Sequence, residues 1–400
     1  MSAGLLTRYL AAYRGLPRTV WLISAVALIN RAGTMVVPFL SLYLQESRGL
    51  DGDAIGTLLF LFGAGAFIGS LLGGYAVDRI GTTVTMQASL IGVAAAFVGF
   101  SHAQTVWWLG LGAFAIGFVG DMFRPAVIAA ITQHAAPHDT TRAIALCRVA
   151  VNAGMAAGPA IGGILAVHDY QLLFWGDAAT SLAAAIALAL WVPRAARSPS
   201  LESSPPAKRP RRFEIDPGFV AFLALNGVVA LGFFQALFTM PLFLHEAYGY
   251  AEDAIGALLA VQAATIVGIE VWLVHRLRQR NAMLVFGWGA LLSGVGLSLV
   301  GLSGAVWLIV TAMVVWSFGE MLALPFSASL VSEYAGPKRV GSYMGYYSAV
   351  FAIAMMAAPV VGLSIRDQWG WSALWLCTAA SGVAVCIASM QLATRPRGPS

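Results

Sequence analysis

Twelve apolar runs, each about 20 to 28 residues long, follow one another along the 400-residue chain, and each has the length an α-helix needs to cross a bilayer. They lie at 19–44, 54–77, 83–102, 105–131, 141–166, 170–192, 217–243, 253–275, 282–303, 306–331, 340–364 and 370–392. Lipid offers backbone amides no partner, so a series of such runs can only become a bundle of helices. The expected fold class is an all-α polytopic membrane protein with twelve transmembrane helices. Composition agrees: 59% of residues are hydrophobic, 10% are charged and mean hydropathy is +0.79, where a soluble domain carries about 25% charge. The segment before Arg18 is too polar and basic for a cleavable signal, so the first run is expected to be retained.

The stretch 193–216 differs from its surroundings. It holds Arg194, Arg197, Lys208, Arg209, Arg211 and Arg212 among Ser and Pro and reads as a solvated basic linker. The expected domains are therefore 1–192, the linker 193–216, and 217–400, six helices on either side. Of the 23 Lys and Arg, 18 fall on the tails, the linker and the even-numbered connections, two (Arg48, Arg366) on the opposite side, and three (Arg31, Arg124, Arg148) inside runs. Positive charge marks the cytoplasmic side, so both termini are expected in the cytoplasm of a bacterial-type inner membrane. The halves also repeat. Asp53-Ala-Ile-Gly56 returns as Asp253-Ala-Ile-Gly256, Gly120-Asp121-Met122 as Gly319-Glu320-Met321, and Pro159 and Gly162 as Pro359 and Gly362. A repeat of this kind is a transporter architecture, with a substrate path between the halves.

Two local patterns sharpen this. Between the second and third runs stands Gly74-Tyr-Ala-Val-Asp78-Arg79-Ile-Gly81. In the fifth run stands Gly154-x-x-x-Gly158-Pro159-x-x-Gly162-Gly163. Glycines four apart let a second helix approach closely, and a proline within a helix removes one backbone bond. The first pattern resembles the signature loop G-x-L-A-D-R-x-G-R-K of the major facilitator superfamily, with Thr82 and Thr83 at its two closing basic positions. The second is similar to the antiporter motif of that superfamily's drug:proton exporters at every fixed position. The resemblance spans essentially the whole chain. It implies two pseudo-symmetric six-helix bundles, transport by alternating access, and a conformational role for Gly74, Asp78, Arg79, Gly81, Gly154, Gly158, Pro159, Gly162 and Gly163.

Charges inside the runs are the candidate site, since an ionisable residue in a membrane helix is costly without a function. Asn30 and Arg31 lie in the first run, Asp121 and Arg124 share a face of the fourth, and Arg148 and Asn152 share a face of the fifth. Arginine stays charged, so it can bind an anion or hold an acid but cannot carry the proton. Asp121 is the titratable member, and two readings compete: a proton carrier, or a fixed pair with Arg124 or Arg148. Glu320 is its counterpart in the second half, with no basic neighbour in sequence, and is read as a second proton carrier. Gln235, Gln262 and Tyr346 complete the candidate substrate contacts. Asp177 reads as interfacial, and Trp107, Trp108, Trp307, Trp369 and Trp371 as an interfacial belt.

The leading expectation is a secondary active transporter, proton-coupled efflux by antiport of a small organic molecule or drug. The alternative, favoured by the arginines, is proton-coupled or facilitated uptake of an anionic metabolite or short peptide. A lipid substrate and a non-transporting sensor are further alternatives. The six His and three Cys are dispersed, and no phosphate-binding loop occurs. An enzyme, a metal site, a cofactor and a nucleic-acid partner are therefore not expected, the proton gradient supplies the energy, and a monomer suffices.

Overall fold

The computed structural model describes residues 15–136, 139–192 and 216–394. The basic linker, Arg194 to Arg212, lies outside the described residues. Those described are helical apart from short turns, and eleven helical stretches are long and apolar enough to cross a membrane. The helices are α1a (Arg18–Ala32), α1b (Val36–Leu42), α2 (Gly52–Ile80), α3 (Thr82–Ser101), α4a (Val106–Asp121), α4b (Phe123–His134), α5 (Thr140–His168) and α6 (Gln171–Trp191). Then come α7a (Pro217–Phe238), α7b (Met240–Tyr248), α8 (Glu252–Leu277) and α9 (Ala282–Val300). The remaining helical stretch runs from Val306 to Ala393, 88 residues, and contains the spanning segments Val306–Ala335 (α10) and Tyr343–Ala393. The second of these is 51 residues long, far beyond the ~20 that a bilayer takes. Gly370 divides it, because its φ of 81° cannot be part of a right-handed helix. The result is α11 (343–369) and α12 (371–393), and the twelfth crossing.

Three helices are broken, each just before a proline. α1 stops at Gly33 and restarts ahead of Pro38, α4 is interrupted at Met122 ahead of Pro125, and α7 at Thr239 ahead of Pro241. Proline has no amide hydrogen and its ring collides with the carbonyl four residues back. It therefore fits the first turn of a new segment, where amides have no helical partner anyway. The repeat also survives in the turns. α1 ends on Gly49 (φ 63°), with Gly49 N donating to Gln45 O at 2.9 Å and Leu50 N to Leu44 O at 3.1 Å. α7b ends on Gly249 (φ 68°), with Gly249 N donating to His245 O at 2.9 Å and Tyr250 N to Leu244 O at 3.2 Å. Both are left-handed glycine terminations with the same pair of bonds.

Packing divides the chain differently from its sequence. One compact unit holds the chain up to Val36, Gly65–Gly158 and the stretch beginning at Gln171. The other holds Val37–Ala64, Pro159–Tyr170 and the second half. The segments 37–64 of α1 and α2 and 159–170 of α5 belong with the second unit, where glycines let backbones meet. A Cβ on Gly56 would lie 3.4 Å from Val360 Cα, one on Gly63 3.1 Å from Met356 Cα, and one on Gly256 2.5 Å from Pro159 O. Each unit has its own apolar core. The first is built around Val20, Ile23, Leu90, Ala126 and Leu188. The second is built around Phe219, Phe222, Phe286, Phe326 and Leu330.

Candidate functional site

In the first unit, α5 lies directly on α1. A Cβ on Gly154 would sit 2.6 Å from Leu28 O and 2.9 Å from Arg31 Cβ, and one on Gly158 would sit 2.8 Å from Thr34 O. Two glycines of the helix 5 motif therefore fix the backbone on either side of Arg31 and at the break that follows it. Gly162 is buried, and Gly163 faces α8 within the second unit, where its Cβ would lie 3.1 Å from Asp253 Cα. The motif is thus divided in its work, half against α1 and half against α8.

Arg31 occupies the last turn of α1a. Asp121 and Arg124 lie close enough for their charges to act on it. Asp121 is the last residue of α4a, so the break at Met122 places it at a helix end. Asn30, Arg31, Asp121 and Asn152 are half-buried, while Arg124 and Arg148 are exposed. Among the described residues, no ion pair within 4.0 Å involves Asp121, Arg31 or Arg124. Of the two pairs weighed from sequence, Asp121–Arg124 is not among the ion pairs of the described residues. The three side chains form an electrostatic cluster without a direct bridge.

In the second unit, Glu320 accepts a hydrogen bond from Gln262 Nε2 at 2.8 Å. The Glu270 carboxylate is near enough to act on it. Glu320 lines a small cavity with Val229 and Phe233 of α7a, Ser293 of α9, and Trp316, Ala323 and Leu324 of α10. An acid in a mostly apolar, aromatic-walled cavity held by one amide can gain or lose a proton without breaking an ion pair.

The other expected contacts fare differently. Gln235 is buried, and both ends of its amide are used. Nε2 donates to Ala358 O at 2.7 Å, and Oε1 accepts from Thr239 Oγ1 at 2.7 Å. It packs α7 against α11. Tyr346 is 42% exposed. Its neighbour Tyr347 is the one turned to α10, where its hydroxyl lies 2.9 Å from Ser327 Oγ. In the loop motif, Asp78 and Arg79 are exposed, with the Arg79 guanidinium 5.1 Å from the Tyr75 ring centre, and Gly81 precedes α3. A Cβ on Gly74 would have nothing within 4 Å. Gly73 is the residue that lets α2 meet the α4 break, its Cβ position lying 2.8 Å from Met122 Cα. Thr82, standing where the family has a basic residue, is buried and hydrogen-bonds to Gln133 Oε1 at 3.1 Å. A buried threonine explains the departure, since a charge there would lose its water.

Two features escaped the sequence reading. Asp177 is one, a buried acid of α6. It is 1% exposed and accepts from Met35 N at 3.0 Å and Val36 N at 3.1 Å. Within the second unit, at the end of α7b, Glu246 gathers Gln45 Nε2 (2.6 Å), Arg366 Nη1 (3.1 Å) and Trp371 Nε1 (2.8 Å). Trp371 makes this hydrogen bond from a half-buried position, while Trp107, Trp108, Trp307 and Trp369 are exposed. Nearby, Tyr170 donates to Glu252 Oε1 at 2.5 Å. Burial and this bond raise the Tyr170 phenol above its usual range.

Twelve crossings, broken helices and ionisable groups held within the spans define a polytopic transport protein of the membrane. The family model of the Major Facilitator Superfamily matches residues 20–359 and 285–400, and the chain belongs to that superfamily. Among its relatives is "Multidrug resistance protein MdtH" of Photorhabdus laumondii, 26% identical over 78% of this chain and 77% of that protein. Another is a "Na(+), Li(+), K(+)/H(+) antiporter" of Planococcus maritimus, 23% identical over 86% of this chain and 88% of that protein. Among solved structures, the nucleoside transporter NupG superposes with a TM-score of 0.79 at 12% identity, covering 94% of this chain and all of that one. That likeness is one of fold.

Proposed function

We propose that the chain exports small organic molecules in exchange for protons, with Asp121 and Glu320 as the proton carriers and the Arg31 cluster, with Asn30, Arg124, Arg148 and Asn152, as part of the substrate wall. The carrying observation is a pair of repeat-related acids, each inside a span and neither in a described ion pair. Gln262 then serves to orient Glu320. The exporter motif of α5 and the resistance and antiporter names of the relatives support the same direction. In this reading the repeats 1–192 and 217–400 are the moving bodies, the termini face the cytoplasm of an inner membrane, and a monomer driven by the proton gradient is the working form. Transport into inverted vesicles under an imposed pH gradient tests it. Substrate flux should follow the gradient and lose that dependence in Asp121→Asn or Glu320→Gln. Flux indifferent to the gradient in the unmodified protein would exclude antiport.

A second reading, uptake of an anion, draws on the excess of arginine over acid around Arg31. Cells expressing the protein would then accumulate a carboxylated dye above control cells, whereas export predicts less.

A further inference from the structure

The geometry points to Asp177 as a positioning residue: its buried carboxylate fixes the break in α1 and, through it, the place of Arg31. This inference rests on the proposed role of Arg31 and adds the residue that controls it.

The break needs a partner from elsewhere. After Ala32 the helix closes with Gly33 N donating to Asn30 O (3.3 Å) and Thr34 N to Arg31 O (3.1 Å). The next two amides, Met35 and Val36, begin a new segment and have no carbonyl behind them. In lipid an unsatisfied amide costs several kcal/mol. Asp177 meets both, one oxygen to each amide. Pro38 has no amide to satisfy.

The surroundings are shaped for this contact. Gly33 faces α6 one turn beyond Asp177, where a Cβ would lie 2.9 Å from Thr180 Cβ. Thr180 Oγ1 in turn donates to Gly176 O (3.0 Å) and Asp177 O (3.1 Å). From the other side Gly158 of α5 comes to Thr34 O. That carbonyl is four residues before Pro38, so it receives no helical bond. The break is therefore held between α6 and α5, within one packing unit, and Arg31 lies only two residues before Gly33. The continuation of α1 passes to the other unit after Val36, so the residues Asp177 grips are the last that α1 contributes to the first unit.

Two variants grade the contact. Asp177→Asn keeps one carbonyl oxygen and can hold one amide, and Asp177→Ala can hold neither. In the purified full-length protein, hydrogen exchange of the segment 33–41 should quicken about tenfold or more in Asp177→Ala and less in Asp177→Asn. Equal protection in all three proteins would overturn the inference. Should Asp177→Ala fail to fold, the Asp177→Asn comparison alone decides. The functional arm is a double-mutant cycle on carboxyfluorescein transport in vesicles. Asp177→Ala should raise KM about tenfold with Vmax nearly unchanged, and should add almost nothing in an Arg31→Ala background. A full additional effect there means that Asp177 does not act through Arg31 and rejects the positioning role. If Arg31→Ala alone leaves KM unchanged, the substrate role of Arg31 fails, and the capped break is judged by exchange.

Discussion

Thr82 illustrates how one residue departs from a family pattern for a local reason. It is buried at the start of α3 with its hydroxyl on Gln133, while Thr83 next to it is half-buried. Restoring the family's basic residue should therefore have unequal results. Thr82→Arg should lower thermal stability by several kcal/mol through burial of an unpaired charge, and Thr83→Lys should be near neutral. Melting of the two purified variants checks this, and equal losses would show that the buried threonine is not the reason. Glu320 and Gln235 mark what sequence conveys at this scale. Both are polar residues in apolar runs, and sequence alone gives them similar standing. Only the fold shows that Glu320 lines a cavity while Gln235 is consumed by Ala358 and Thr239. Asp177 was hidden for the same reason, because its partners are amides 142 and 141 residues away.

At the scale of helices, a motif glycine matters only where a neighbour comes close. Gly158 has the Thr34 backbone 2.8 Å from where a Cβ would be, whereas Gly74 has open space. Gly158→Ala must displace backbone and should cost about 1–3 kcal/mol. Gly74→Ala lies inside α2 and should be neutral or stabilising by up to ~1 kcal/mol, as alanine is in a helix. Thermal unfolding of the two variants separates these outcomes, and loss of stability in Gly74→Ala would contradict the packing described. The helices themselves were legible, because a spanning run must be long and apolar. Their breaks were less so. Pro125 signals the weak point of α4, but the break of α1 depends on Asp177 and Gly158, which a local reading cannot bring together.

For the molecule as a whole, the Glu246 network is the feature with the widest reach. Glu246 joins Gln45 near the end of α1, Arg366 of α11 and Trp371 of α12, and Ser41 Oγ donates to Phe238 O at 2.7 Å. Glu246→Ala should loosen this end of the second unit. A cysteine placed at Ser41, which is buried, should then react several-fold faster with a membrane-impermeant thiol reagent than in the Ser41→Cys protein with Glu246 intact. An unchanged rate would mean that apolar packing alone keeps this end shut. Repeat architecture was readable from patterns recurring about 200 residues apart, and the superfamily from the loop Gly74–Gly81 and the glycine motif Gly154–Gly163. The packing division was not, since it follows backbone contacts between segments far apart in sequence.

The paired terminations at Gly49 and Gly249 carry a consequence of their own. A Cβ at either position would have no atom within 4 Å, so replacing either by alanine tests the backbone angle and nothing else. Each substitution should cost about 1 kcal/mol, and the double variant should lose the sum. Two turns that answer identically to the same change behave as copies of one component, each half closing its first span with the same glycine stop.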